Sequence, residues 1–169
     1  GGAMNVRVTS RGDTREVHVG DPDGLVFQLQ DPGYCGGDGP LGDQCMAAEP
    51  APGPGSLTPL GLSHFTINVT DPTRTNAFYQ QAFGFGIQAM QAAAPALDVG
   101  TGDHFLMFIA AGAGGARINH TCLTVEDFDV ERVQRALEGH GTTPRQPTPG
   151  PLRHWISLRK PNRGGAPKG

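Results

Sequence analysis

Leu62-Ser63-His64-Phe65-Thr66-Ile67-Asn68-Val69 is the stretch on which the fold turns. It has the two-residue period of a strand: Ser63, Phe65, Ile67 and Val69 share one face, and His64, Thr66 and Asn68 share the other. Thr70-Asp71-Pro72 follows and can cap and start a helix, because an acidic cap accepts from free amides and proline suits the first turn. Ala77, Phe78, Ala82 and Phe83 give that helix an apolar stripe, and Gly84 and Gly86 end it. Ile87 to Met90, Ala96 to Val99 and His104 to Ala110 read as three further strands. The order from residue 62 is therefore βαβββ.

The pattern then restarts. Ile118-Asn119-His120-Thr121-Cys122-Leu123-Thr124-Val125 parallels the opening stretch, within a strand expected over Arg117 to Val125. In both copies a histidine leads alternating residues, a valine, an acidic cap and a helix. The two histidines stand 56 positions apart, a period that signals internal duplication. Asp127 is expected to cap the second helix, over Val130 to Leu137, with Val130, Val133, Ala136 and Leu137 apolar. His154-Trp155-Ile156-Ser157-Leu158-Arg159 reads as one more strand, after which a Gly/Pro/Lys tail ends the chain.

Upstream, Val6 to Ser10, Glu16 to Val19 and Leu25 to Gln30 read as antiparallel strands. Asp21-Pro22-Asp23-Gly24 supplies a strong turn before the last of them. Residues 31–61 change character, with a Gly-rich run from Asp31 to Asp43 and a Pro/Gly/Ala linker from Glu49 to Gly55.

Together these motifs resemble the vicinal-oxygen-chelate superfamily of glyoxalases, bleomycin-resistance proteins and extradiol dioxygenases. Its modules open on a His-bearing strand, continue with a helix carrying a Phe-Tyr pair before a glycine (here Phe78-Tyr79 and Gly84), and close with a turn like Asp21-Pro22-Asp23-Gly24. The resemblance covers residues 5–30 and 62–160 and implies an α+β fold of paired βαβββ modules. Here the order is permuted, because the closing strands stand first. The expected organisation is residues 1–4 as a cloning remnant, 5–30 as closing strands of a second-type module, 31–61 as loop and linker, 62–110 as the first module, 111–160 as the start of the second, and 161–169 as a tail. Circular permutation is one source of this order. The other is a segment cut from a tandem-domain parent, which the likeness of Val6–Arg11 to Trp155–Lys160 favours. Either way an unfinished sheet needs its edge filled, within the chain or in a second copy, so a homodimer is expected, with a domain swap as one route to it.

The resemblance also implies a site. In extradiol dioxygenases two His and one Glu hold Fe(II) on one face and leave positions open for substrate and oxygen. His64 and His120 fit the two His positions, and the third falls on Gln28, whose neutral amide is a weaker ligand than a carboxylate. The implied cofactor is a divalent metal (Fe(II), Mn, Ni, Co or Zn) acting as a Lewis acid on a small molecule with adjacent oxygens, in dioxygenase-like or lyase/isomerase-like chemistry. Tyr34 and His18 are weaker candidates for contacting the substrate; Glu16 or His18 could act as a base, and no catalytic residue is assigned. The alternatives are a metal-free binding protein of the same fold, as in drug resistance, and an inactive fragment.

Composition narrows the classes. The chain has 169 residues, enough for one ordinary domain. Its 13 basic and 16 acidic residues form no basic stripe, so nucleic acid is not an expected partner. No apolar run approaches the ~20 residues that span a bilayer, and no membrane association is expected. The run from Gly33 to Gly42 lacks the Lys and Ser/Thr of a phosphate loop, so no nucleotide cofactor is expected. The compartment defaults to the cytoplasm, with export left open. Cys35 and Cys45, ten residues apart, could join as a disulfide in an oxidising compartment, and Cys122 is expected to be a small buried hydrophobe.

Overall fold

The computed structural model describes residues 5–142. The strand expected over His154 to Arg159 lies outside them. Among the described residues, two compact units separate, one of residues 5–50 and 62–122, the other of 51–61 and 123–142.

The first unit begins with a three-stranded antiparallel sheet: β1 (Val6–Arg11), β2 (Thr14–Gly20) and β3 (Val26–Leu29). The upstream strands stand where the sequence pattern set them. The Gly-rich run folds against this sheet. Cys35 and Cys45 form a disulfide, and Asp38 bridges Gln44. The buried Thr14 hydroxyl donates to the Gly39 carbonyl at 2.6 Å, while the Gly39 amide donates to Asp13 at 3.0 Å. Gly42 takes a left-handed φ of 64°, and the Tyr34 ring occupies the space a side chain there would need.

Next come β4 (Pro59–Val69), α1 (Pro72–Phe83), β5 (Ile87–Gln91), β6 (Ala94–Asp98), β7 (Phe105–Ala110) and β8 (Arg117–Val125). They build a five-stranded sheet in the order β5-β6-β7-β4-β8, with β4 parallel to β7 and the β5-β6-β7 pairs antiparallel. β4 to β7 are the expected βαβββ module. Asp71 caps α1 by accepting from the Arg74 amide, and Gly84 ends the helix at φ 71°. The core joins Val69, Tyr79, Leu97 and Phe108 between α1 and one face of the sheet. The Tyr79 ring stacks on Phe108 at 4.8 Å.

The helix does not bury its expected stripe. Ala82 and Phe83 are exposed, while Thr75, Asn76 and Tyr79 are buried. The turn at residues 21–24 supplies the reason. Asp23 accepts from the Thr70 amide at 2.8 Å and the Thr75 hydroxyl at 2.7 Å, with Arg74 at 3.4 Å. Tyr79 donates its hydroxyl to Asp21 at 3.4 Å, and Phe27 packs on the Tyr79 and Phe83 rings. Polar residues on α1 are buried because the hairpin carries carboxylates to meet them. The hairpin is held to the helix by side chains, and among the described residues it shares no strand ladder with the larger sheet.

In the second unit α2 (Val130–Glu138) starts at Asp129, which accepts from the Arg132 amide at 2.8 Å. Asp127, the expected cap, sits two residues early in a left-handed turn at φ 47°, where its carbonyl accepts from Arg132. Ser56 meets His140 at 2.8 Å in the same unit. Among the described residues no helix is long and apolar enough to cross a membrane.

Candidate metal centre

The alternation of β4 decides where its histidine points. Ile67 and Val69 face the core under α1, so His64, Thr66 and Asn68 face the opposite side of the sheet. The parallel register pairs His64 with Phe105, and the two rings stack at 4.2 Å. His120 comes from β8, the neighbour of β4. Its Nε2 lies 3.3 Å from the His64 Nε2, with the rings nearly perpendicular at 77°. The two residues singled out from the repeat thus meet.

Their outer nitrogens are occupied as well. His64 Nδ1 lies 3.2 Å from the Ser63 hydroxyl, and His120 Nδ1 lies 2.8 Å from the Asn119 amide oxygen. Burial first, and then the neighbouring His120, hold the His64 imidazole below its ordinary 6.5. A lowered value keeps the ring neutral near pH 7 and leaves it a lone pair, the form in which imidazole binds metals.

The spacing fits a shared ion. Two imidazole nitrogens each ~2.0–2.1 Å from one tetrahedral zinc ion lie roughly 3.3 Å apart. Neutral nitrogen donors also suit Zn, Fe, Co and Ni. Among the described residues no group of three His, Cys, Asp or Glu converges, so these two histidines supply half of a ligand set. On β7 the residues sharing their face are Phe105, Met107 and Ile109, none with a hard donor.

Gln28 does not join the pair within the chain. It is exposed on β3, beside Phe27, which packs against α1. The helix lies on the face of the sheet away from His64, so the hairpin approaches from the wrong side. Tyr34 packs against Gly42 in the disulfide loop and is a loop anchor. His18 sits on β2, 3.2 Å from the Thr9 hydroxyl and 3.7 Å from Glu16. Neither is brought to the histidines. Asn68 and Asn119 were missed as site residues; the visible signal was an amide on the His64 face of an otherwise buried strand end, and another directly before His120.

The family model for the Glyoxalase/Bleomycin resistance protein/Dioxygenase superfamily matches residues 61–158, more than half of the chain. The chain belongs to this superfamily. Two solved structures of variants of Streptomyces coelicolor methylmalonyl-CoA epimerase in complex with 2-nitronate-propionyl-CoA are similar at 17% identity, covering 57% of this chain and 83% of the epimerase, with a TM-score of 0.42. No curated protein matches. In this glyoxalase/dioxygenase-superfamily chain the histidine pair comes from β4 and β8.

Proposed function

We propose that the chain is a metal-dependent oxygen-chelate enzyme acting on a small molecule with two adjacent oxygens, in isomerase/lyase-like or dioxygenase-like chemistry. The observation that carries this is the 3.3 Å approach of the two Nε2 atoms, each ring held from behind at Nδ1. His64 and His120 would hold the ion. When bound, it would supply Lewis acidity, stabilising negative charge on chelated oxygens. The chain's own residues orient and shield: Phe105 fixes the His64 plane, and Met107 lines the same face with apolar surface. Gln28 is left outside this set for the reasons of sidedness given above.

Titrating the metal-free protein with Co(II), and in parallel with Fe(II) and Zn(II), tests the reading. One ion per chain, with a visible Co(II) spectrum, is expected. His64→Ala and His120→Ala should each weaken uptake by at least ~100-fold, as expected for loss of one of few ligands. Full uptake by both variants would sink the assignment.

A second reading, a metal-free binding protein, draws on a different feature. An apolar groove of about 720 Å³ runs between α1 and the β5-β6 hairpin, lined by Ala77, Ile87, Met90, Ala94 and Phe108. That is an ordinary size for a ligand cleft. Ligand binding that persists unchanged in both histidine variants would favour it.

A further inference from the structure

We infer that Asn68 and Asn119 are positioning residues that fix the tautomer of His120, so that its Nε2 presents a bare lone pair towards His64 before any metal arrives. The argument starts from a group with no choice. The Ala110 backbone carbonyl can only accept, so the Asn68 atom 3.3 Å from it is the amide nitrogen. Asn68 is buried, and this bond sets its amide: the Oδ1 must point the other way. That oxygen accepts from the Asn119 Nδ2 at 2.8 Å. Asn119 in turn has only its oxygen left for His120, at 2.8 Å from Nδ1. An amide oxygen cannot donate, so His120 carries its proton on Nδ1. Nε2 is then unprotonated.

The chain of bonds has one direction and two consequences. The first is that His120 is preset as a ligand, whereas a free imidazole in water prefers the proton on Nε2 and would have to move it before binding. The second is an asymmetry between the pair. In the metal-free protein the His64 Nε2 donates to His120, and the Ser63 hydroxyl, free to rotate, donates to His64 Nδ1 at 3.2 Å. Only His64 has to shift its proton to Nδ1 when both nitrogens turn to an ion, and Ser63 can reverse its role to accept it. One histidine is fixed by two carboxamides and a backbone carbonyl; the other is left adjustable by a hydroxyl.

This inference deepens the metal reading, but its test needs no metal. Long-range ¹H–¹⁵N correlation on the metal-free protein above pH 7 reports which ring nitrogen of each histidine is protonated. The expected result is the Nδ1–H form at His120 and the Nε2–H form at His64. Nε2–H as the main form of His120 in the unmodified protein would overturn the inference without any variant. Asn119→Leu should return His120 to the Nε2–H form and lower Co(II) affinity by about 10–100-fold, the usual cost of a lost outer-shell partner. Asn119→Asp, which still accepts at Nδ1, should keep the Nδ1–H form. An unchanged tautomer in a folded Asn119→Leu protein would also overturn it. Failure of metal uptake with the expected tautomers present would instead count against the proposed function alone.

Discussion

Asp23 shows how one side chain can hold two elements together. Its carboxylate is fully covered and accepts from the Thr70 amide and the Thr75 hydroxyl beside Arg74. Burial works against its charge, but the bonds from Thr70 and Thr75 and the Arg74 guanidinium outweigh it, and its pKa falls below the ordinary 3.8. A carboxylate with a depressed folded pKa adds stability that is complete above the unfolded value and lost as pH falls through the folded one. Acid unfolding of this protein should therefore show a loss below about pH 4 that Asp23→Asn lacks, measured by chemical denaturation at a series of pH values. Asp23→Ala should cost about 2–4 kcal/mol at pH 7, because it strands buried donors. Asp21 pulls the other way: burial raises its pKa, only partly offset by the Leu25 and Asp23 amides, so neighbouring carboxylates of one turn titrate in opposite directions. The motif was legible as a turn. Its second use, as a pair of acceptors for a helix 52 residues away, was not, because nothing local in Asp-Pro-Asp-Gly names Thr75 or Tyr79 as its partners.

At the scale of elements, the two-residue and helical periods placed every described strand and both helices. Burial does not alternate cleanly along β2, β4 or β7; what marked them was β-rich runs bounded by turn and cap residues. Where the helix faces were misjudged, side-chain chemistry had overridden hydrophobicity: Thr75 and Asn76 are buried and Phe83 is not. The two metal-candidate histidines were picked out through the repeat and meet in the structure, while Gln28, the expected third ligand, lies on β3, which pairs with β2 and packs Phe27 on α1. The disulfide gives a prediction of its own. It closes a ten-residue separation in a loop that grips the β1–β2 turn through Thr14 and Asp13. Changing both Cys35 and Cys45 to Ala should lower stability by about 2–3 kcal/mol, and denaturation midpoints of the native protein should move down on adding reductant. Equal midpoints with and without reductant would show that the bridge carries no stability. Cys122, expected buried, is half-buried on β8 and stands outside this bridge.

For the molecule as a whole, the ordering of the sheets bears on assembly. Among the described residues, β8 ends the strand order of the larger sheet and β1 ends that of the smaller one. Val6, Val8 and Ile118 on those two strands are 58%, 63% and 59% exposed. We propose that a second copy joins these edges, β1 of one chain along β8 of the other. The mass in solution should then be twice the chain's 17.7 kDa, and Ile118→Lys should return it to one chain. A monomer at tens of micromolar for the unmodified protein would remove the proposal.

The Asp23–Thr75 contact also sets an order of events in folding. The β1–β3 hairpin sheet and α1 each rely on near neighbours in sequence and can form quickly by themselves. Their union requires closing a loop of 52 residues, and the entropy of that closure is lost before any of the clamp's bonds is gained. The strands that come first along the chain thus have to wait for a helix that comes later.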